Sequence, residues 1–467
     1  MNKLHSRLFL LCMVLVLLWG CSSVRTSMPA PELKLPEKWS EAQDSSDKDS
    51  TVKEQVSWWE DFNDPQLDIL IDQALRTNND FTAATIRVRR AQLQAGLVDT
   101  NRTPSVAVGV NSGLTHTFNP QATYHSSGIY SSMSYELDLW GKLSSQRDAA
   151  HLEVQATDAD CQAFALSLLG TTARLYWQLA YLNQLLTLNA ADIDSAEKVL
   201  SLTRARYTAG AVSALNTVEA ELNVSTQQAF RTQLVQQRVE IRHALAILFN
   251  QPPESDVVDP SGLPNAPLPA VAAGLPAEIL ANRPDLHAAE LRLRETLVNV
   301  DVTRTSFYPT LKLTGSMGTV SSTLLNLLQN PVATLGVGLS LPFVQWNTTQ
   351  LAIRVSKTQY EEAVVNYRQH LYIALAEVED SLSARTQLRE EEVKLALARV
   401  QAQRVESIAH TRFKAGFTDV QLWLDAQARL RSTERSLVLN RFNQLNNQVN
   451  LYKALGLGAT SGKIACR

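Results

Sequence analysis

No long hydrophobic run follows the first 20 residues of this 467-residue chain. A membrane-spanning helix needs roughly 18 to 20 apolar residues, so the body of the chain offers none. An excess of one sign of charge is missing too: 43 Lys plus Arg stand against 46 Asp plus Glu, a net of −3. That balance excludes the basic footprint of a nucleic-acid binder. Cysteine is scarce. Two of the four, Cys12 and Cys21, fall within the first 21 residues, leaving too few for a cystine scaffold or a four-thiolate zinc site. Cys161 therefore reads as a lone helical thiol, buried or inert. The eight histidines form no H-E-x-x-H and no i,i+4 pair, and there is no phosphate loop or nucleophile elbow. These gaps predict a protein that is not an enzyme and uses no cofactor and no metal. At 45% hydrophobic residues, the chain is nonetheless expected to fold.

Proline and glycine are missing over long stretches. Residues 121–251 and 343–467 contain no proline, while seven of the 17 crowd into 252–276. Gly170 is the only glycine between Lys142 and Ala209, and none lies between Asn347 and Ala415. Inside a helix a proline costs about 3 kcal/mol and a glycine about 1, so these gaps predict two very long helices. At 1.5 Å per residue, a helix of roughly 65 residues extends about 95 Å, beyond what a small globular core can cover. Leu175, Leu179, Leu182, Leu186, Ile193, Ala196 and Leu200 follow steps of three and four, interrupted at Asn189. That spacing predicts coiled-coil packing.

What the chain does have begins with an address. Lys3, His5 and Arg7 accompany the apolar run Leu8 to Leu18, a secretory signal too short to span a bilayer. Leu18-Trp19-Gly20-Cys21 resembles the lipobox of bacterial lipoproteins, with Trp19 where a small residue is usual. Residues 1–20 thus read as a lipoprotein signal peptide. Cys21 becomes the acylated, palmitate-bearing first residue, and 21–57 a lipid-anchored, solvated linker. Each buried CH₂ of an acyl chain adds roughly 0.8 kcal/mol, so a multiply acylated cysteine is an effective anchor.

The chain also repeats itself. Arg206-Tyr207-Thr208-Ala209-Gly210 returns as Arg412-Phe413-Lys414-Ala415-Gly416, and Trp140 returns as Trp346 in the same register. Each copy reads as a helix, two strands, a very long helix, a hairpin tip and a returning helix. The first spans 58–250, with strands at 104–117 and 128–140; the second spans 276–457, with strands at 309–319 and 334–342. A Pro-rich equatorial linker, 251–275, separates them, and 458–467 forms a tail.

The strands carry a period of two. Val106, Val108 and Val110, then Ile129, Met133, Tyr135 and Leu137, alternate with small or polar residues. Leu311, Leu313 and Met317, then Leu335, Val337 and Leu339, do the same. Such lengths suit tilted strands that cross a bilayer, apolar face to lipid and polar face to a watery lumen. Glu136 and Asp138 read as lumen lining. Four strands cannot close a membrane barrel, and an open edge in hydrocarbon leaves backbone groups unsatisfied. The strands must be pooled, as eight in a dimer or twelve in a trimer.

On these residues the chain resembles the TolC family of outer membrane efflux factors, in its lipoprotein (OprM-like, NodT-type) branch. The carrying motifs are Trp59-x-x-Phe62-x-Asp64-Pro65-x-Leu67 with Asn78-Asn79-Asp80; Ser134 to Gly141; Arg283-Pro284-Asp285-Leu286; and Leu451-Tyr452-Lys453-Ala454-Leu455-Gly456. The resemblance implies a mainly α fold with membrane β: a homotrimer with one twelve-stranded transmembrane barrel, continued by a coiled-coil periplasmic tunnel. It implies the exit duct of a tripartite multidrug efflux pump in a Gram-negative outer membrane. Partners would be a periplasmic membrane-fusion adaptor and an inner-membrane pump of RND type. By the same analogy Asp425, Lys414, Glu219 and Asn216 would gate the periplasmic aperture. Arg206, Tyr207, Gly210, Ser213, Arg412, Phe413, Gly416 and Asp419 would form the tips where the adaptor docks, or else cap and staple the hairpins. The alternatives are a non-conducting structural or adhesive lipoprotein, and the periplasmic adaptor itself.

Overall fold

The computed structural model describes residues 26, 36, 38–40, 57–269, 271, 276, 282–321, 331–458 and 466. The signal peptide, Cys21 and most of the 458–467 tail lie outside them. A 3-10 turn at Trp58–Phe62 leads into α1 (Pro65–Thr77) and α2 (Asn79–Thr100). Asp64 caps α1, its Oδ1 accepting from the amides of Gln66 (3.1 Å) and Leu67 (3.3 Å), with Pro65 in the first turn. There follow β1 (Ser105–Phe118), β2 (Gln121–Leu137), α3 (Lys142–Thr208) and α4 (Ala214–Leu248). The second copy is α5 (Pro284–Ser306), β3 (Thr310–Ser321), β4 (Pro331–Ser340), α6 (Trp346–Lys414) and α7 (Val420–Ala454). The duplication extends to length: α3 and α6 have 67 and 69 residues, and α4 and α7 have 35 each.

The chain divides into two compact units. The first, built on 86–159 and 286–370, carries one antiparallel sheet in the order β1-β2-β3-β4. β2 starts at Gln121, earlier than the expected 128, because the hairpin turns on Asn119 and Pro120 alone and pairing runs up to Phe118 with Gln121. Helix packing in this unit centres on Leu293, Val300, Tyr360 and Tyr367. Thr26 is not part of a solvated linker: its amide donates to both carboxylate oxygens of Asp301, at 2.9 and 3.1 Å. Between α3 and α5, Arg292 Nε approaches Glu153 Oε2 at 3.3 Å. Glu295 is pushed above the usual carboxylate range by burial and then by the Glu153 charge, against the Asn299 hydrogen bond and Arg292.

The second unit holds 34–85, 160–285 and 371–467. Its core joins distant sequence motifs. Trp58 stacks on Tyr452 at 5.1 Å, and Phe62 meets Trp177 at 4.8 Å. Arg283 forks onto Asp285 (Nη2–Oδ2 2.6 Å) and also binds Glu377 (2.6 Å) and the Ala454 carbonyl at the end of α7 (3.3 Å). Gly456, at φ +71°, has to be glycine, because a Cβ there would meet the Asn282–Arg283 backbone. Gly170, the lone glycine of α3, faces α7, where a Cβ would stand 3.2 Å from Val449 Cγ1. The Pro-rich segment is laced to helices: Asn183 Nδ2 donates to Asp259 Oδ1 (2.7 Å), Arg441 Nε to the Pro264 carbonyl (2.9 Å) and Gln448 Nε2 to that of Pro269 (3.0 Å).

Three expectations are corrected in this unit. Cys161 is not a lone thiol: it forms a disulfide with Cys466, 305 residues away, and both are buried. The linker is docked here too, since Trp39 is buried and the Ser40 amide donates to Glu379 Oε1 at 2.8 Å. The α3 seam keeps Leu179, Leu182 and Ala196 of the expected one but departs from it elsewhere. Leu182, Leu185, Asn189, Ala196, Val199 and Thr203 are buried, whereas Leu186, Ile193 and Leu200 are only half-buried. Asn189 does not interrupt the seam but lies in it, its Nδ2 donating to the Gln227 carbonyl at 3.2 Å.

Candidate functional site

The register sorts the side chains of the sheet. Val106 pairs with Met133, Met133 with Gly315, and Gly315 with Leu335, so these residues share a face. By the same alternation Val108, Val110, Ile129, Tyr135, Leu137, Leu311, Leu313, Met317, Val337 and Leu339 lie on that face. The other face carries Ser105, Ala107, Gly109, Asn111, Ser132, Ser134, Thr314, Ser316, Thr334, Gly336, Gly338 and Ser340. Along β3, the apolar rows from Leu311 to Thr319 cover ~27 Å at ~3.4 Å per residue, which a tilted strand matches to a bilayer core. Beyond Val110 and Ile129 this face becomes mixed, with Ser112, Ser127, His116 and His125 among Leu114 and Phe118. Within the chain β1 and β4 are the outer strands of the sheet.

Aromatic residues gather where the sheet meets the helices. Trp140 Nε1 donates to the Pro309 carbonyl at 2.8 Å and its ring packs edge-on against Tyr308 at 5.5 Å. Phe343 and Trp346 are exposed at the corresponding level of the second copy. Belts of this kind mark membrane–water interfaces. The two carboxylates expected in a lumen are both engaged. Asp138 caps α3, its Oδ1 and Oδ2 accepting from the amides of Leu143 (2.9 Å) and Ser144 (2.8 Å). Glu136 pairs with Lys142 and lies 3.6 Å from Lys312 Nζ. Neither carboxylate is left as a free acidic lining at this level.

The two hairpin tips, in the second unit, end in the same backbone device. The Gly210 and Ala211 amides donate to the carbonyls of Tyr207 (2.9 Å) and Arg206 (2.8 Å). In the second copy Gly416 and Phe417 donate to Phe413 and Arg412, both at 3.0 Å. Each glycine has positive φ, +74° and +81°, completing the helix-ending motif that favours glycine there. The expected docking residues then divide. Phe413 is 1% exposed, packed among Val199, Ala409, Val420 and Trp423. Arg206 lies over its ring at 4.4 Å and donates to the carbonyls of Phe413 (2.9 Å) and Lys414 (3.0 Å), tying the two tips together. For these two the stapling role is the one their burial and bonds support. Tyr207 is 50% exposed, and Arg412, Ser213 and Asp419 are exposed as well.

Gly210, Ser213, Asn216, Glu219 and Asp419 surround one open depression. Asn216 is buried beneath it as a cap of α4: its Oδ1 accepts from the Ser213 amide (3.2 Å) and hydroxyl (2.8 Å). Lys414 and Asp425 are exposed outside that rim, with Gln421 Nε2 donating to Asp425 Oδ1 at 2.8 Å. Two tip features escaped the sequence reading. Phe417, 82% exposed beside Gly416, is the more accessible aromatic, signalled only by its place in the turn. Trp423 stacks on His410 at 4.5 Å and donates to Glu406 Oε1 at 2.7 Å, a staple with no counterpart motif. Further along these helices Arg435 binds Asp192 (3.1 Å) and Gln227 (3.1 Å), and burial still holds the Asp192 carboxyl above its usual range.

A family model described as "Outer membrane efflux protein" matches residues 70–251 and 275–457, once in each copy. The chain is 32% identical over 418 residues to the pyoverdine export outer membrane protein OpmQ of Pseudomonas putida, covering 86% of this chain and 88% of that protein. Its fold matches the outer-membrane channel OprN with a TM-score of 0.85 at 25% identity, over 94% of this chain and 100% of that one. It also matches the open state of the MtrE outer membrane channel of Neisseria gonorrhoeae, with a TM-score of 0.81 at 26% identity, over 94% and 99% of the two chains.

Proposed function

The chain belongs to the outer membrane efflux protein family, and on that premise we propose that it is the passive exit duct of a tripartite pump expelling drugs or other small toxic compounds. The observation that carries this reading is the strand register, which gathers most of the large apolar strand residues on one face and a lining made mainly of Gly, Ser and Thr, with Tyr130 and Val332, on the other. Three copies supply twelve strands, β1 of one meeting β4 of the next, so that no edge is left open in the bilayer. The long helices continue the barrel as a tunnel. Acylated Cys21 anchors each copy in the outer membrane, and a periplasmic adaptor joins the duct to an inner-membrane pump of RND type. Neither a cofactor nor catalysis enters this reading.

At the periplasmic end the adaptor meets the exposed tip residues Tyr207, Ser213, Arg412 and Asp419. Asp425, with Lys414 of a neighbouring copy, closes the aperture, because a ring of three carboxylates repels itself unless cations pair with it. Glu219 occupies the equivalent position in the first copy. Planar-bilayer conductance of the purified protein tests the duct. Discrete channels support it, and a protein that inserts without conducting points to the adhesive or structural alternative. In the same assay Asp425→Asn and Lys414→Ala should each raise conductance; no change in either would remove these residues from the gate.

A further inference from the structure

Within the span of the apolar band, Tyr130 is the one aromatic side chain on the polar face of the sheet among the described residues. Its neighbours across the strands are Gly109 on β1 and Gly318 on β3. The ring does not stand away from the wall. It lies over Gly109, where a Cβ would stand 2.7 Å from Tyr130 Cε1 and 2.5 Å from its Oη. Position 318 also requires glycine, since a Cβ there would lie 3.1 Å from Tyr130 Cβ and 2.8 Å from the Ile129 carbonyl. The largest side chain of the lining is thus laid flat in a slot that only glycine leaves open.

We propose that Gly109 and Tyr130 together set the bore of the barrel and so the bulk of solute it admits; this rests on the trimeric-duct reading above. A side chain at position 109 evicts the ring from its slot. The ring must then take another staggered rotamer, and side chains on a strand stand roughly perpendicular to the sheet. Gly318 places no side chain on the β3 side, so the evicted ring either lies over Gly318 or stands into the lumen, and the second position is the one that narrows the path. Three copies bring three rings to one level, so a change at a residue that touches no solute narrows the path through one that does. The specificity-determining group is the phenol, and Gly109 acts by positioning it.

The test uses the full-length protein in planar bilayers, with Asp425→Asn in every variant so that the aperture does not set the flow, reading single-channel conductance and the relative permeability of tetraalkylammonium ions of increasing size. Gly109→Val should lower conductance and shift the permeability cut-off toward smaller ions. Adding Tyr130→Ala to the same chain should restore both to at least the starting level. Should the valine variant fail to assemble, Gly109→Ser, which suits a polar wall, is read the same way. Unchanged conductance and cut-off in an assembled position-109 variant would overturn the proposal, as would a loss that Tyr130→Ala does not reverse. A chain carrying Asp425→Asn alone that inserts but never conducts would instead bring down the duct reading, and this inference with it.

Discussion

Phe413 and Tyr207 occupy matching positions in the two copies but differ in what their rings touch. Phe413 is enclosed by α3, α6 and α7 residues, while half of Tyr207 faces solvent. Truncating a buried phenylalanine costs about 3–5 kcal/mol, whereas a surface change stays within about 0.5 kcal/mol. Thermal melting of the detergent-extracted protein should therefore show a marked loss for Phe413→Ala and almost none for Tyr207→Ala. Equal melting of the two would contradict the stapling role. In the sequence the only sign of this division was the missing hydroxyl of Phe413, a weak signal because both residues sit in the same repeated motif. Asp138 and Asn216 were legible as polar residues at set positions but not as caps, since capping depends on where a helix begins. The Cys161–Cys466 bond was hidden for a different reason. Spacing alone does not fix cysteine pairing, and the partners stand 305 residues apart.

The strands were the most legible elements because alternation assigns a face to every residue without knowledge of the partner strand. Their ends were less so. Past Val110 the outer face is interrupted by Ser112, Ser127, His116 and His125, with Leu114 and Phe118 left among them, while the β1–β2 pairing continues to Phe118, so the pattern fades before the strand does. The two-faced sheet makes a direct prediction. Val108→Lys places a charge on the lipid face, where a bilayer midplane penalises Lys by about 2–4 kcal/mol, and should reduce the assembled protein recovered from outer membranes. Ser132→Lys, on the polar face, should be recovered normally; the reverse order would mean the faces are misassigned. Helix lengths followed from missing proline, but the α3 seam is the expected one at Leu179, Leu182 and Ala196 and lies one residue off at Leu186 and Leu200, because burial depends on which helices pack against it and Asn189 finds a carbonyl partner there. On α5, Glu295 binds its proton more readily in the folded chain than in the unfolded one. Its charge therefore opposes folding above the raised pKa and ceases to do so below the ordinary carboxylate value. Glu295→Gln should raise stability at neutral pH by on the order of a few tenths of a kcal/mol after solvent screening, read as a slightly higher melting temperature, and the gain should vanish as pH falls through that window. A gain that persists at low pH would assign the effect to packing instead.

Two copies of one plan supply the chain with two strand pairs, two very long helices and two tips that end in the same glycine device. Four strands with outer edges at β1 and β4 are an incomplete object in hydrocarbon, and the half-buried Leu186, Ile193 and Leu200 leave a second apolar stripe on α3 in the lone chain. Both features call for further copies of the same chain. The sequence already required pooled strands, but not their number, since the strand count alone permits either closure. The native mass of the particle extracted in mild detergent from purified outer membranes tests this most directly. The account predicts three chains per particle. A dimer, or a monomer recovered from the soluble periplasmic fraction, would contradict it.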